Sequence, residues 1–322
     1  MKSSRSPSLY LGTSPSDLAE AARLLRAGGL VAFPTETVYG LGADATSDAA
    51  VAKIYAAKGR PRFNPLIAHV AERGAAEAQG VFSREASALA EAFWPGPLTL
   101  VLPLAPGATV SELARAGLAS LALRVPAHPA ARTLLAATGL PLAAPSANLS
   151  GRVSPVTAEH VREDLDGLID AVVDAGPTSV GLESTIVSFL GPTPQLLRPG
   201  GIARAAIEAV LRRPLMPTSP KDAPRAPGML AVHYAPRAKL RLEATELEQG
   251  EAGLDFGGRF APGGHVLDLS PRGDLTEAAA RLFRYLRRLD AQGYAAIAVA
   301  PIPSTGLGEA INDRLRRAAA KS

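Results

Sequence analysis

Cysteine is absent from the 322 residues. Its absence removes disulfides, thiolate nucleophiles, zinc ribbons and iron–sulfur clusters in one step, and it fits a reducing compartment. Long apolar runs are missing too. No window approaches the ~18–20 uninterrupted apolar residues of a membrane-spanning helix, and the best, such as Ala295 to Ala300, soon stop. Aromatics make up only 5%, with one Trp, and are not interleaved with basic residues in the stripe typical of single-strand nucleic-acid binders. The segment Met1 to Pro15 is Ser- and Pro-rich and lacks the apolar core of a signal peptide. We therefore expect a cytoplasmic protein with a frayed start. Lysine is scarce as well: six stand among 34 basic residues. The net charge of +4 is thus carried by arginine, which suits flat, bidentate anion recognition.

What is present is a hydrophobic content of 47%, too high for disorder, and enough chain for one large or two ordinary domains. The clearest boundary is the stretch 213–228, where Pro214, Pro217, Pro220, Pro224 and Pro227 leave little room for helix or central strand. We expect a first domain over 1–213, a Pro-rich linker over 214–236 and a second domain over 237–322. No repeat at solenoid or propeller periods is visible.

The first domain alternates strands and helices. Ser16 is expected to cap a helix with Leu18, Ala21, Ala22 and Leu25 on one face, ended by Gly28-Gly29. Ser47 and Ser83 open two more helices. Strands are expected over 30–33, 66–70, 98–102, 121–125, 142–144, 169–173, 184–189 and 195–197, with a closing helix over 202–212. The pattern predicts an α/β or α+β fold around a twisted, partly antiparallel sheet. The second domain reads as a small βαβ-type unit: strands over 239–242, 265–269 and 295–300, helices over 275–291 and 306–319.

Standard phosphate loops fail. GxxxxGK[ST] is absent, and Gly40 and Gly42 are followed by Ala-Asp-Ala. Gly306-Leu307-Gly308 reads as a plain helix-opening turn, because Ile311 stands where a third glycine would be. Five other segments place polar and basic groups at strand ends and in tight turns, where a scaffold can present them. In Pro34-Thr-Glu-Thr-Val-Tyr-Gly-Leu-Gly42, Glu36 could meet an ammonium and Thr37 a hydroxyl or carboxylate. In Lys58-Gly-Arg-Pro-Arg-Phe-Asn-Pro-Leu-Ile-Ala-His69, Lys58 continues a buried helical stripe beside Arg60 and Arg62. Three such cations either share an anionic partner or, for Lys58, snorkel to the surface. Asn64 offers an amide; a lone His69 is an ordinary packing residue as readily as a ligand. Arg124 sits in an apolar strand begun by Ser120, where a substrate carboxylate or a structural Asp or Glu would serve it equally. Ala144-Pro-Ser-Ala-Asn148, with Ser154 beyond, lets a ligand approach the backbone near Ser146 and Asn148. Glu183-Ser-Thr-Ile186 and Arg198-Pro-Gly200 place Ser184 and Arg198 at strand ends.

Taken together, PTETVYGLG, KGRP with NPL and His, SAN-S-G, ESTI and RPG resemble the threonylcarbamoyl-adenylate synthases over residues 20–212. Ala226-Pro-Gly-Met229, His233-Tyr-Ala-Pro236 and Ala310-Ile-Asn-Asp-Arg-Leu315 resemble the two-domain branch of that family. The resemblance implies a YrdC-like first domain and a small Rossmann-like second one. It implies synthesis of L-threonylcarbamoyl-AMP from L-threonine, bicarbonate and ATP with release of pyrophosphate, for threonylcarbamoyladenosine modification of tRNA. By the family pattern, Thr37, His69, Arg124, the backbone at Ala144 and Ser184 hold threonine. Arg60, Asn64, Ser120, Ser146, Asn148, Ser154, Arg198 and Tyr234 hold ATP, and Lys58 and Arg60 stabilise developing charge. Mg2+ is expected on the phosphates with no protein ligand identified. The implied partners are the three substrates, tRNA and the complex that receives the adenylate; no membrane is implied. An RNA-binding module without catalysis is the alternative. A carbamoyl-transfer domain of the hydrogenase-maturation kind is disfavoured, since those chains carry Cys-rich zinc fingers.

Overall fold

Two sheets organise the residues that the computed structural model describes, 7–217 and 234–320. The first is built from β1 (Leu9–Leu11), β2 (Val31–Pro34), β3 (Tyr39–Asp44), β4 (Ile67–His69), β5 (Leu98–Pro103), β6 (Ser120–Arg124), β7 (Leu142–Ala143), β8 (Ala171–Val173), β9 (Thr185–Ser188), β10 (Gln195–Arg198) and β11 (Met216–Pro217). Its helices are α1 (Pro15–Arg26), α2 (Asp48–Lys58), α3 (Arg73–Glu77), α4 (Arg84–Phe93), α5 (Pro129–Thr138), α6 (Ala158–Leu165) and α7 (Arg204–Leu211). The strands run in the order β1-β8-β2-β3-β7-β4-β6-β5-β9-β10-β11. The sheet is mixed: β4 pairs parallel with β6, which pairs antiparallel with β5. The second sheet holds β12 (Lys239–Arg241), β13 (Glu251–Asp255), β14 (Val266–Asp268) and β15 (Ala296–Val299), with α8 (Leu275–Ala291) and α9 (Gly308–Ala319). It is parallel throughout, in the order β12-β15-β13-β14.

Both faces of the large sheet are covered. Leu41, Ile54, Leu89, Leu100 and Leu123 pack in one buried cluster, and Leu25, Phe33, Leu134 and Leu142 in another. Gly42 lets the β2–β3 ribbon close, because a Cβ there would lie 2.6 Å from Phe33 Cε1.

Several elements differ from expectation. Ser14, not Ser16, caps α1, its hydroxyl accepting from the Asp17 amide at 3.2 Å. The reason is Pro15, which presets φ for the first helical position and has no N–H to satisfy. The start of the chain is not wholly frayed, since β1 pairs parallel with β8; residues 1–6 lie outside the described residues. β11 pairs with β10 and Leu215 joins the first core, so the first sheet runs past the expected cut at 213. Most of the expected linker, including residues 226–229 and 233, lies outside the described residues. Strands β3 and β13 and helices α3, α5 and α6 lie where no element is expected.

Candidate active site

The turn between β2 and β3 is fastened by its own hydroxyls. Thr35 Oγ1 donates to the Val38 carbonyl at 2.7 Å and lies 2.7 Å from Thr37 Oγ1, fixing a fully buried Thr37. Glu36 does not meet an ammonium. Its Oε1 accepts from Arg124 Nη2 at 2.7 Å and its Oε2 from the Ala127 amide at 3.0 Å. Of the two partners open to Arg124, the structural carboxylate is therefore in place. Burial pushes the Glu36 carboxyl up, but Arg124 outweighs it and holds the group below the usual range. β4 sets His69 beside Arg124 in register. Burial, then the Arg124 charge, push the imidazole down to about 3, so His69 is neutral at neutral pH.

A second wall is cationic. Lys58, at the end of α2, does not snorkel: it is buried, and its Nζ donates to the carbonyls of Ser146 (2.6 Å) and Asn148. Burial and neighbouring Arg60 push it well below the usual lysine range. Arg60 Nη2 donates to the Pro65 carbonyl at 3.2 Å, and burial lowers the guanidinium to about 10. Among the described residues, neither Lys58 nor Arg60 has a carboxylate within ion-pair distance. Cations buried this way call for an anion from outside. The side-chain oxygens Oδ1 of Asn64 and Asn148 are also buried without a donor among the described residues. Opposite them, Arg198 Nη2 donates to Ser184 O (2.9 Å) and Oγ (3.1 Å), and Ser184 Oγ lies 2.7 Å from Thr99 Oγ1. This approach needs Gly200, since a Cβ there would fall 2.3 Å from the Glu183 carbonyl oxygen.

One small hollow of about 40 Å³ joins the walls. Thr37, Arg60, His69, Arg124, Ala144, Ser146, Ser184, Arg198 and Tyr234 all line it. Lys58 and Asn148 stand behind Ser146, and Asn64 sits beneath Arg60, whose Nε is 3.4 Å from its carbonyl. Ser154 reaches the hollow through Glu183, to which its hydroxyl donates. Ser120 is not brought in: it lies at the far end of β6 from Arg124, roughly 13 Å along the strand. Tyr234 closes the top with its backbone at φ 65°, where bulky residues seldom sit, at a cost of about 1–3 kcal/mol. Glu183 lines the hollow too, and was not singled out as a functional carboxylate. Its signal was its place in ESTI, one residue before Ser184. A larger groove of about 1120 Å³ between α3 and α5 gathers none of these residues. Its lining mixes small apolar residues with a few polar ones, and its buried Gln79 is already bonded to Thr109 and Val110.

Comparison with known proteins agrees with this geometry. A family model described as "Telomere recombination" matches residues 23–200, and one described as "Threonylcarbamoyl-AMP synthase, C-terminal domain" matches 202–320. A Bacillus subtilis protein named threonylcarbamoyl-AMP synthase is 44% identical, over 96% of this chain and 94% of its own. One of the same name from Pyrococcus abyssi is 42% identical over 92% of each. The crystal structure of Pyrococcus abyssi Sua5 complexed with L-threonine superposes with a TM-score of 0.89 at 38% identity, covering 97% of both chains. With both halves matched, and relatives aligned nearly end to end, the chain belongs to the threonylcarbamoyl-AMP synthase family.

Proposed function

We propose that this chain makes L-threonylcarbamoyl-AMP and pyrophosphate from L-threonine, bicarbonate and ATP. The observation that carries the reading is the convergence of Arg60, Arg124 and Arg198 with Thr37, His69 and Ser184 on one hollow. Threonine is a small zwitterion with a hydroxyl. Its carboxylate is assigned to the part of the Arg124 guanidinium that Glu36 and the Gly96 carbonyl leave over, its hydroxyl to Thr37 and its neighbourhood to neutral His69, Ala144 and Ser184. The triphosphate is assigned to Lys58 and Arg60, which have no carboxylate partner among the described residues, to Arg198 and to the Asn64 amide, while Asn148, whose Nδ2 donates to the Leu149 and Arg152 carbonyls, braces the loop behind Ser146. Ser146, Ser154 and Tyr234 complete that side; Ser120 has the weakest claim.

In the proposed reaction the threonine amine combines with bicarbonate, losing water, to give a carbamate. A carbamate oxygen attacks the α-phosphorus, and pyrophosphate leaves with the electron pair of the broken P–O bond. The chain's own contribution is alignment, worth up to about 7–11 kcal/mol, and fixed cations at the developing charge, about 3–4 kcal/mol each in favourable cases. Mg2+ belongs to the substrate, held by phosphate oxygens and water. The described residues gather no His, Asp and Glu cluster to hold it, and the cations of the hollow suit phosphate. The hollow as it stands has room for about two or three waters, so loading requires Tyr234 to withdraw and return, excluding water from a hydrolysable adenylate. We place the reaction in the cytoplasm, with the adenylate passed to the enzymes that threonylcarbamoylate tRNA.

The test is direct. Purified protein is mixed with ATP, bicarbonate and labelled threonine; pyrophosphate and a labelled AMP adduct are expected, with serine a poorer substrate. A salt-sensitive gel shift with tRNA and no pyrophosphate release would sink the reading.

A further inference from the structure

Arg314 is the largest fully buried side chain among the described residues, yet it belongs to α9 of the second domain. Its guanidinium leaves that domain and ends at the wall of the hollow. Nε donates to Glu183 Oε2 at 2.8 Å, and Nη2 to the Pro199 carbonyl at 3.0 Å. Nη1 stays at home on Asp313 Oδ2, at 2.6 Å. The guanidinium carbon lies 5.1 Å from the centre of the Tyr234 ring, which also stacks on Phe283 of α8 at 5.5 Å.

Each contact that leaves α9 lands on a group that shapes the nucleotide side. Glu183 is the hub: its other oxygen accepts the Ser154 hydroxyl, and its carbonyl accepts the Gly201 amide at 3.0 Å. Pro199 follows Arg198 directly. Burial alone would raise the Glu183 carboxyl, but Arg314 and Arg198, with the Ser154 hydrogen bond, hold it down to about 2. Glu183 is thus a permanent anion between two arginines. A planar fork of five N–H donors fixes direction as well as charge, which an ammonium does not. The other interdomain ion pairs among the described residues, Arg204–Glu309 and Arg287 with Glu163 and Asp164, have no partner on the hollow. Domain adhesion therefore has other sources, and Arg314 does something they do not.

We propose that Arg314 is a positioning residue for nucleotide binding, so that the docked second domain completes the active site of the first. This rests on the adenylate-synthase reading above. Through Glu183 it orients Ser154, through Pro199 it holds the Arg198 turn, and through its charge it seats Tyr234. On the threonine side, Glu36, Arg124, Thr37 and His69 make no contact with Arg314 or the Glu183 carboxylate among the described residues, and only Ser184, the neighbour of Glu183, stands within one step of it.

The test uses the full chain and its R314Q and R314K variants, with R204A as a docking control. Binding of a non-hydrolysable ATP analogue and of threonine is measured separately by calorimetry, alongside KM for each substrate. For R314Q, nucleotide affinity is expected to fall by about 10–100-fold and threonine affinity to stay within about twofold, a change too small to signal a lost contact. R314K is expected to fall between, and R204A to bind nucleotide as the parent does. Parallel loss of both ligands in R314Q, or unchanged nucleotide affinity in R314Q or R314K, overturns the proposal. If R314Q does not fold, R314K alone decides, because it keeps the charge and loses the fork. Failure of the parent protein to form adenylate would remove the functional reading, while the analogue titrations would still report on Arg314.

Discussion

At the scale of the residue, the hollow is a set of charges whose partners decide their worth. Glu36 and Arg124 are buried and paired at 2.7 Å. Breaking such a pair leaves one uncompensated charge, a loss of about 3–5 kcal/mol. Glu36→Ala is therefore expected to lower stability on that scale in urea denaturation and to raise KM for threonine more than for ATP. A stability change below about 1 kcal/mol, the level of an exposed pair, would show that water already reaches the site. His69 makes a different prediction. Its folded value of about 3 lies below the ordinary 6.5, so between those limits the unfolded chain binds more protons. Stability is then present above pH 6.5 and is lost as pH falls towards 3. The Glu183 carboxyl, about 2 against 4.5, adds a loss that begins lower, as pH falls below 4.5. Thermal melts across pH 7 to 4 should show Tm falling, and His69→Gln should flatten the upper part of the slope. A slope identical in the variant would assign the proton uptake elsewhere, to the half-buried His160, lowered to about 4 chiefly by burial, or to His128, lowered by burial too.

At the scale of the element, turns bring the walls together. The β10–α7 turn rests on the Glu183–Ser184 peptide, with Gly200 at closest approach. Gly200→Ala is expected to push Arg198 from Ser184 and cost about 2–3 kcal/mol as an overpacked contact. Urea denaturation and nucleotide affinity should fall together, and a variant matching the parent in both would show that the turn yields freely. The same scale shows what the sequence could reveal. Helices with an apolar stripe and a Ser cap, such as α2 and α4, were legible, and so was α8 from end to end. α6, AEHVREDL, was not, because charge masks its buried Val161 and Leu165. β13, EAGLD, offered no apolar run although it is a central strand. β11 hid in a proline-rich stretch, and pairs only at the sheet edge where proline is tolerated. Among site residues, those presented by short motifs at strand ends could be named. Glu183 and Arg314 could not be paired, because 131 residues separate them and only the fold makes them neighbours.

At the scale of the whole molecule, the two domains meet beside the hollow. Gly181 shows how close they come: a Cβ there would lie 2.5 Å from the Ala279 carbonyl of α8, at a φ of +72°. Gly181→Val is expected to pry the domains apart. Calorimetric melting should split into two transitions, proteolysis should cut between the domains, and adenylate yield should fall; a single unchanged transition would mean that the interface absorbs the side chain. Tyr234→Ala should lower the melting temperature, since truncating a buried ring costs about 3–5 kcal/mol, and should lower adenylate yield well below the melt; equal turnover there would remove the closing role given to this ring.

The reach of Arg314 across 131 positions also has a consequence in time. Ribosomes add about 5–20 residues per second, so Glu183 is made roughly 7–26 s before the guanidinium that neutralises it. Through that interval the nascent first half holds Glu183 with Arg198 and Ser154 but without Arg314. If Arg314 positions the nucleotide side as proposed, that side stays unfastened until α9 emerges.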